Sequence, residues 1–285
     1  MSTATTELGA AGRWWGVARA VVVKEITVLA RYPLEFAATF AQIFLMVAVF
    51  TLSALMFSPG GGGGRSMLGG TMVYGFVVFL LFVETLSAVS TSLRREQKQG
   101  TLEQLYITPA SPSASLTARV FVTAAWTALM ALLSVCLMAF MIGGLPVGDV
   151  ATALVVLLFT VTGTFGVGFA FAGLTLRMGE SAQMLAVFAQ FGFMVLCAPF
   201  FPFSVLPGWL RAAASALPLA HSVDLFRSAL MGFPAGHPEL APARVGLAVV
   251  VAFGVAMPPL GLWIYSSSEQ WARRRHPGAT PHTGR

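Results

Sequence analysis

Long apolar runs alternate with short polar interruptions along this chain. The runs cover about residues 34–57, 71–93, 113–142, 149–176, 181–201 and 244–265. At a rise of 1.5 Å per residue the first of them extends about 36 Å, enough to cross a bilayer core with some tilt. The pattern predicts an all-α polytopic membrane protein with six transmembrane helices, over residues 34–266. Ahead of the first run, Trp15, Ala18, Val22, Ile26 and Leu29 recur at helical spacing, while Lys24, Glu25 and Arg31 lie off that stripe. An amphipathic helix over 13–33 with Trp at its start and basic flanks suits the membrane interface. Pro33 should close it, because the residue before a proline is pushed out of helical angles. Residues 1–12 are small and polar and are expected to be disordered.

The interruptions predict the connections. Ser58-Pro59 and the run Gly60 to Gly64 read as a flexible outer loop. No Gly-Lys-Ser/Thr follows the glycines, so the run is not a phosphate cradle. Gly143-Gly144-Leu145-Pro146 reads as a short turn. Residues 202–231 are broken by Pro202, Pro207 and Pro218 into pieces too short to cross. Two short re-entrant helices dipping into the outer leaflet fit that stretch. Gly163, Gly166, Gly168, Ala170, Ala172 and Gly173 give the fourth span a small-residue face for close helix packing. Pro258-Pro259 should kink the last span or change its geometry, and 267–285 form a basic cytoplasmic tail.

Composition strengthens the membrane reading. Charged residues make up 10% of the chain, hydrophobic residues 56%, and the mean hydropathy is +0.79. A soluble domain carries about 25% charged residues. The net charge of +6 does not point to nucleic acid, because the basic residues sit in short segments between the apolar runs. Placing both termini in the cytoplasm puts Arg13, Arg19, Lys24, Arg31, Arg94, Arg95, Lys98, Arg119, Arg177 and Arg273 to Arg275 inside. Only Arg65, Arg211, Arg227 and Arg244 then fall outside, a strong positive-inside bias. Cys136 and Cys197 lie within apolar runs and read as buried free thiols. The first thirty residues lack the apolar core and cleavage site of a signal peptide, so the first span serves as its own insertion signal.

One charged island, residues 94–109, stands between the second and third spans. Gly100 breaks the helix leaving the membrane, and Thr101 with Gln104 three residues on forms a capping box. Leu102, Leu105 and Tyr106 share a face of the short helix that follows, and Thr108-Pro109 stops it. A capped helix of this kind presents an apolar face that suits a groove on a partner protein.

Glu96-x-x-x-Gly100-Thr101-Leu102-Glu103-x-Leu105-x-x-Thr108-Pro109 resembles the second cytoplasmic segment of type-2 exporter permeases of the ATP-binding-cassette superfamily. Arg31-Tyr32-Pro33 closing the interfacial helix, the six spans, Leu206-Pro207-x-Trp209-Leu210, Pro218-Leu219 and Asp224-x-x-Arg227 are similar to the same family. The likeness covers nearly the whole chain; the glycine-rich loop departs from it. It implies that residues 100–109 form a coupling helix, with Glu96, Gly100, Thr101, Leu102, Glu103, Leu105, Tyr106 and Pro109 meeting a separate nucleotide-binding ATPase subunit present in two copies. It also implies that a second permease, identical or paralogous, completes the path. Leu206, Pro207, Trp209, Leu210, Pro218, Asp224 and Arg227 would belong to extracellular gate helices over 202–231. The chain itself would bind no cofactor, ATP and Mg being held by the partner, and it would sit in a bacterial cell membrane.

Within the spans, Glu84 is the acidic residue placed in mid-membrane, where a charge costs at least ~2.5–3.5 kcal/mol. It should face the bundle or a watery cavity. Ser87 and Thr91 share its helix face. The stripe lines either a substrate path or a packing contact, and Gln42, Gln183 and Gln190 are weaker candidates of the same kind. No Gly-x-x-x-x-Gly-Lys-Ser/Thr, His-Glu-x-x-His or Gly-x-Ser-x-Gly occurs, so the chain is not expected to be an enzyme or to bind ATP. The expected cargo is an amphipathic drug, antibiotic or lipid-like molecule in multidrug-type efflux. A lipid-linked polysaccharide is the alternative. An ion-coupled carrier would instead show internal repeats and several intramembrane charges, and neither is evident.

Overall fold

A computed structural model of the chain describes residues 33–57, 62–98, 129–137, 145–178 and 181–275, with single helical positions at 19, 23, 27, 31, 126, 139 and 140. Among the described residues every regular element is helical. In chain order these are α1 (Pro33–Phe57), α2 (Gly62–Lys98), α3 (Val150–Met178), α4 (Ser181–Leu196), a 3-10 turn (Phe203–Val205), α5 (Gly208–Ser215), α6 (Pro218–Leu230) and α7 (Ala243–Arg275). Residues 129–137 are also helical. Among the described residues, three stretches are long and apolar enough to cross a membrane: Gly69–Ser87, Val150–Thr175 and Ala243–Ser268. Phe40–Val49 and Met184–Leu196 form shorter apolar helical stretches.

The centre of the bundle is α2. Its Gly69–Ser87 stretch is 78% buried, against 33% for the stretch in α3 and 22% in α7. Val73, Phe76, Val78, Leu81, Phe82 and Leu86 are all almost fully enclosed. Helix α1 lays Ile43, Val47 and Ala48 against this core and leaves Leu45, Met46, Val49 and Leu52 exposed. Those outward leucines and valines have the polarity of lipid, so their exposure carries no cost in a bilayer. Before α1, Arg19, Val23, Thr27 and Arg31 are helical and exposed, one position per turn on a face that begins beside the predicted apolar stripe. The stripe residues themselves lie outside the described residues.

The tightest packing joins α3 to α7. A Cβ on Gly166 would collide with the backbone of Met257 and Pro258, and one on Gly261 with the Gly166 carbonyl. A Cβ on Gly163 would strike the Phe253 ring, and one on Gly254 would reach Phe159. The small face of the fourth span therefore has a partner, and glycines on both helices allow the backbones to touch. Dispersion and close approach supply the association where apolar contact alone has no advantage over lipid.

The ends of the helices meet in one layer. Tyr74 donates its hydroxyl to the Pro146 carbonyl at 2.5 Å. Gly148 and Asp149 donate backbone N–H groups to Leu230 and Ala229 at 2.7 and 2.8 Å. Asp149 then caps α3, accepting from the Thr152 N–H at 3.1 Å and the Thr152 hydroxyl at 2.6 Å. A Cβ on Gly75 would collide with the Pro199 carbonyl. The part of α2 around Tyr74 and Gly75, the start of α3, the end of α6 and the turn after α4 thus meet in one layer.

Four predicted boundaries and burials change. Helix α2 reaches back to Gly62, so Gly62 to Gly64 are helical instead of loop; they fill a first turn, where the orphan N–H groups make glycine less costly than in an interior. Helix α4 stops at Leu196, short of the expected 201. Pro199 denies Ala198 the helical region, and Ala198 adopts φ 43°. Helix α7 runs unbroken through Pro258 and Pro259 to Arg275, so the first part of the predicted tail is helix. Its neighbour α3, in backbone contact at Pro258, supports it there. Cys197 is buried as expected, but Cys136 is exposed, on a helix surface that would face lipid.

Candidate functional site

Between α4 and α7 the chain builds a cap from the 3-10 turn, α5 and α6. Pro218 opens α6 at a position where its missing N–H is no loss. From Leu219 to Ala229 every residue of α6 is buried, including His221, Ser222, Asp224, Arg227 and Ser228. A helix carrying five polar residues can be buried all round only if those groups find partners. Ser222 and Ser228 donate to carbonyls one turn back. The His221 ring pairs with the Ser215 carbonyl at 2.9 Å, tying α6 to α5.

Arg227 is the hub of the cap, with its side chain fully buried. Its Nη1 donates to the Phe201 carbonyl at 3.2 Å, and its guanidinium lies 4.6 Å from the centre of the Phe203 ring. Its Nη2 stands 3.5 Å from Asp224 Oδ1, one turn back, and 3.8 Å from Glu239 Oε1, across the loop. Each carboxylate spends its other oxygen on backbone. Asp224 Oδ2 accepts from the Leu240 N–H at 2.8 Å, and Glu239 Oε2 from the Ser204 N–H at 2.6 Å. Arg211 on α5 donates to the Glu239 carbonyl at 2.6 Å. Burial pulls the Arg227 guanidinium below its ordinary pKa, and the charges of Asp224 and then Glu239 push it back up. One cation therefore fastens α6, the turn after α4 and the loop before α7 together.

Asp224 and Arg227 were expected among the gate residues, and the structure pairs them. Leu206 and Leu210 are half-buried, Pro207 is exposed just before α5, and Trp209 is 73% exposed on it. Glu239, Phe203 and the backbone of Phe201 were not anticipated. The available signal was one acidic residue in a proline-rich stretch after residue 231, and nothing in its spacing ties it to Arg227.

In the bundle, Glu84 and Ser87 are half-buried on α2. Gln190 on α4 donates to the Ser87 hydroxyl at 3.2 Å, and nearby the rings of Phe82, five residues before Ser87, and Phe193, three after Gln190, meet edge to face at 5.0 Å. The structure thus brings Ser87 and Gln190 together. Gln42 is exposed on α1 and is not part of this contact. Thr91 lies on α2 and Gln183 on α4, but their side chains are outside the described residues. Glu96 falls in the last turn of α2, its side chain likewise outside them. Gly100, Thr101, Leu102, Glu103, Leu105, Tyr106 and Pro109 lie outside the described residues altogether.

A family model described as "ABC-2 type transporter" matches residues 17–231. The match takes in the charged island, Glu84 and the cap through α6, and ends before Glu239 and α7. No curated protein matches the chain.

Proposed function

The chain belongs to the ABC-2 type transporter family, and from that premise we propose that it is the permease of an exporter driven by ATP hydrolysis in a separate subunit. It is a multi-pass membrane protein and a transmembrane component of an ABC-2 transporter, and its family works with an ATP-binding partner. The observation that carries the finer reading is the extent of the match, which spans the segment expected to receive the partner's motion and the cap that would have to move in response.

In the proposed cycle two ATP-binding subunits close on ATP and Mg. They push residues 100–109 of each of two permeases, with Leu102, Leu105 and Tyr106 seated in a groove and Glu103 at its rim. Helix α2 leads from that segment through the membrane to the cap end, so a push on its inner end is transmitted to the cap. The Glu84–Ser87 face borders the path of an amphipathic cargo. The cap opens as a unit because Arg227 ties its three segments together. Both termini are cytoplasmic in this arrangement, which follows the bias of lysine and arginine.

The test is co-expression of the chain with its ATP-binding subunit, followed by cargo movement in sealed vesicles. The reading requires that the two co-purify and that movement stops when the partner can bind but not hydrolyse ATP. Movement that continues with the hydrolysis-deficient partner would overturn it.

A further inference from the structure

Arg227 balances only half of the negative charge around it. Asp224 and Glu239 both face its one guanidinium, which leaves one carboxylate charge in the cap uncompensated. In the cap, the buried polar atoms without a hydrogen-bond partner are Asp224 Oδ1, Arg227 Nε and Nη2, Glu239 Oε1 and His237 Nδ1. Histidine is the side chain type that changes its charge between about pH 5 and 8. His237 Nδ1 stands 3.7 Å from Glu239 Oε1, the same oxygen that lies 3.8 Å from Arg227 Nη2. The His237 N–H donates to the Pro234 carbonyl at 3.0 Å, which fixes the turn carrying the ring. The side chain keeps 14% of its surface in solvent, so protons reach it. The neighbouring ionisable groups are engaged or screened. The His221 ring on α6 pairs with the Ser215 carbonyl, and Arg211 on α5 donates to the Glu239 carbonyl. Arg211 and Arg244, at the start of α7, are exposed, so solvent screens their charges.

We propose that His237 is a proton-operated latch: its protonation gives Glu239 a cation of its own and holds the cap shut, and loss of that proton loosens it. Protonated, the ring turns an Nδ1–H towards Glu239 Oε1, and the four side chains carry equal positive and negative charge. Neutral, it leaves Glu239 to share Arg227 with Asp224. A closed cap that favours the protonated ring is favoured in turn by acid, because the two equilibria are linked. The added stability is therefore present in acid and is lost as the pH rises through the range of histidine. The latch rests on the geometry of the cap. Only the side of the membrane whose pH sets it depends on the topology proposed above, so its failure leaves the transporter reading untouched.

The experiment uses the full-length chain carrying Cys136→Ala, purified in detergent. Opening is read as the alkylation rate of Cys197, which is fully buried and lies four residues before the Phe201 carbonyl that Arg227 holds. Each rate is compared with that of the same protein carrying His237→Gln at the same pH, which cancels the pH dependence of the thiol itself. At about pH 5.5 the parent should react about fivefold more slowly than His237→Gln, the effect of one ion pair at the edge of solvent, and at about pH 8.5 the two should react alike. In a Glu239→Gln background the protection in acid should vanish, because Asp224 is then balanced by Arg227 alone. A ratio that is the same at both pH values, or that runs the other way, would overturn the proposal, as would protection that persists with Glu239→Gln. Should His237→Gln not fold, Glu239→Gln serves as the comparison. The relative rate of the parent should then rise about fivefold from the lower pH to the higher, and a constant ratio would overturn the proposal there too.

Discussion

Replacing Arg227 with glutamine tests the cap more severely than any other single change. At an effective dielectric constant of ~20, an ion pair at 3.5 Å or 3.8 Å has a gross attraction of about 4–5 kcal/mol. Three buried ions each cost several kcal/mol to desolvate, so the cluster as a whole contributes little net stability. Removing one partner is different. Arg227→Gln would leave Asp224 and Glu239 as two buried carboxylates without their cation, and breaking a buried pair in this way costs about 3–5 kcal/mol. That amounts to between two and nearly four powers of ten in the equilibrium between a cap whose segments are joined and one whose segments have come apart. Cys197 is a built-in reporter, because it is fully buried and lies four residues before the Phe201 carbonyl that Arg227 holds. With Cys136→Ala to remove the exposed thiol, alkylation of Cys197 should accelerate at least a hundredfold in Arg227→Gln. The combination Arg227→Met, Asp224→Asn and Glu239→Gln removes all three charges while keeping acceptors for the Leu240 and Ser204 N–H groups. It should return the rate to within about tenfold of the parent, as replacement of buried ions by neutral groups does elsewhere. An acceleration below about fivefold in the single variant, the range of an exposed ion pair, would refute the argument. So would a triple variant as labile as the single one.

Other consequences are more local. Gly166→Ala should lower thermal stability by at least the ~1–3 kcal/mol of overpacking, because its Cβ meets backbone that cannot rotate away; Gly192→Ala, with open space around it, should instead stabilise by up to about 1 kcal/mol. Similar unfolding of the two variants would contradict the close contact of α3 with α7. Glu84→Gln should leave expression intact but reduce cargo movement at least tenfold; unchanged transport and unchanged ATPase stimulation would assign this stripe to packing. Tyr74→Phe removes the hydroxyl donated to Pro146 and should cost about 1 kcal/mol, visible as a small drop in the midpoint of thermal unfolding; no drop would mean that water replaces the bond without loss.

How much of this was legible in the sequence follows from the solvent the chain is written for. Run lengths place α1, α3 and α7, because a bilayer demands a fixed apolar length. Proline spacing isolates the short helices α5 and α6. The i, i+3 spacing of Asp224 and Arg227 puts them on one face, where they are found paired. What sequence periodicity could not supply is the side on which each span packs. With lipid outside and apolar side chains inside, the faces of α1 and α3 look alike, and only glycine placement hints at the α3–α7 seam. Long-range partners leave no periodic trace at all. Glu239 reaches Arg227 through a loop whose path depends on Asp224 binding Leu240, and the stop of α4 depends on Pro199, inside a run that otherwise reads as span.

The central claim, that residues 100–109 couple this permease to an ATP-binding subunit, is tested most directly by the partner's ATP hydrolysis rate in membranes containing the wild-type chain, Glu103→Lys or Leu105→Asp. The account predicts stimulation by the wild-type chain and a fall towards the rate of the partner alone in both variants, with normal permease folding. Full stimulation and full complex yield in both variants would contradict it and place the docking surface elsewhere on the chain.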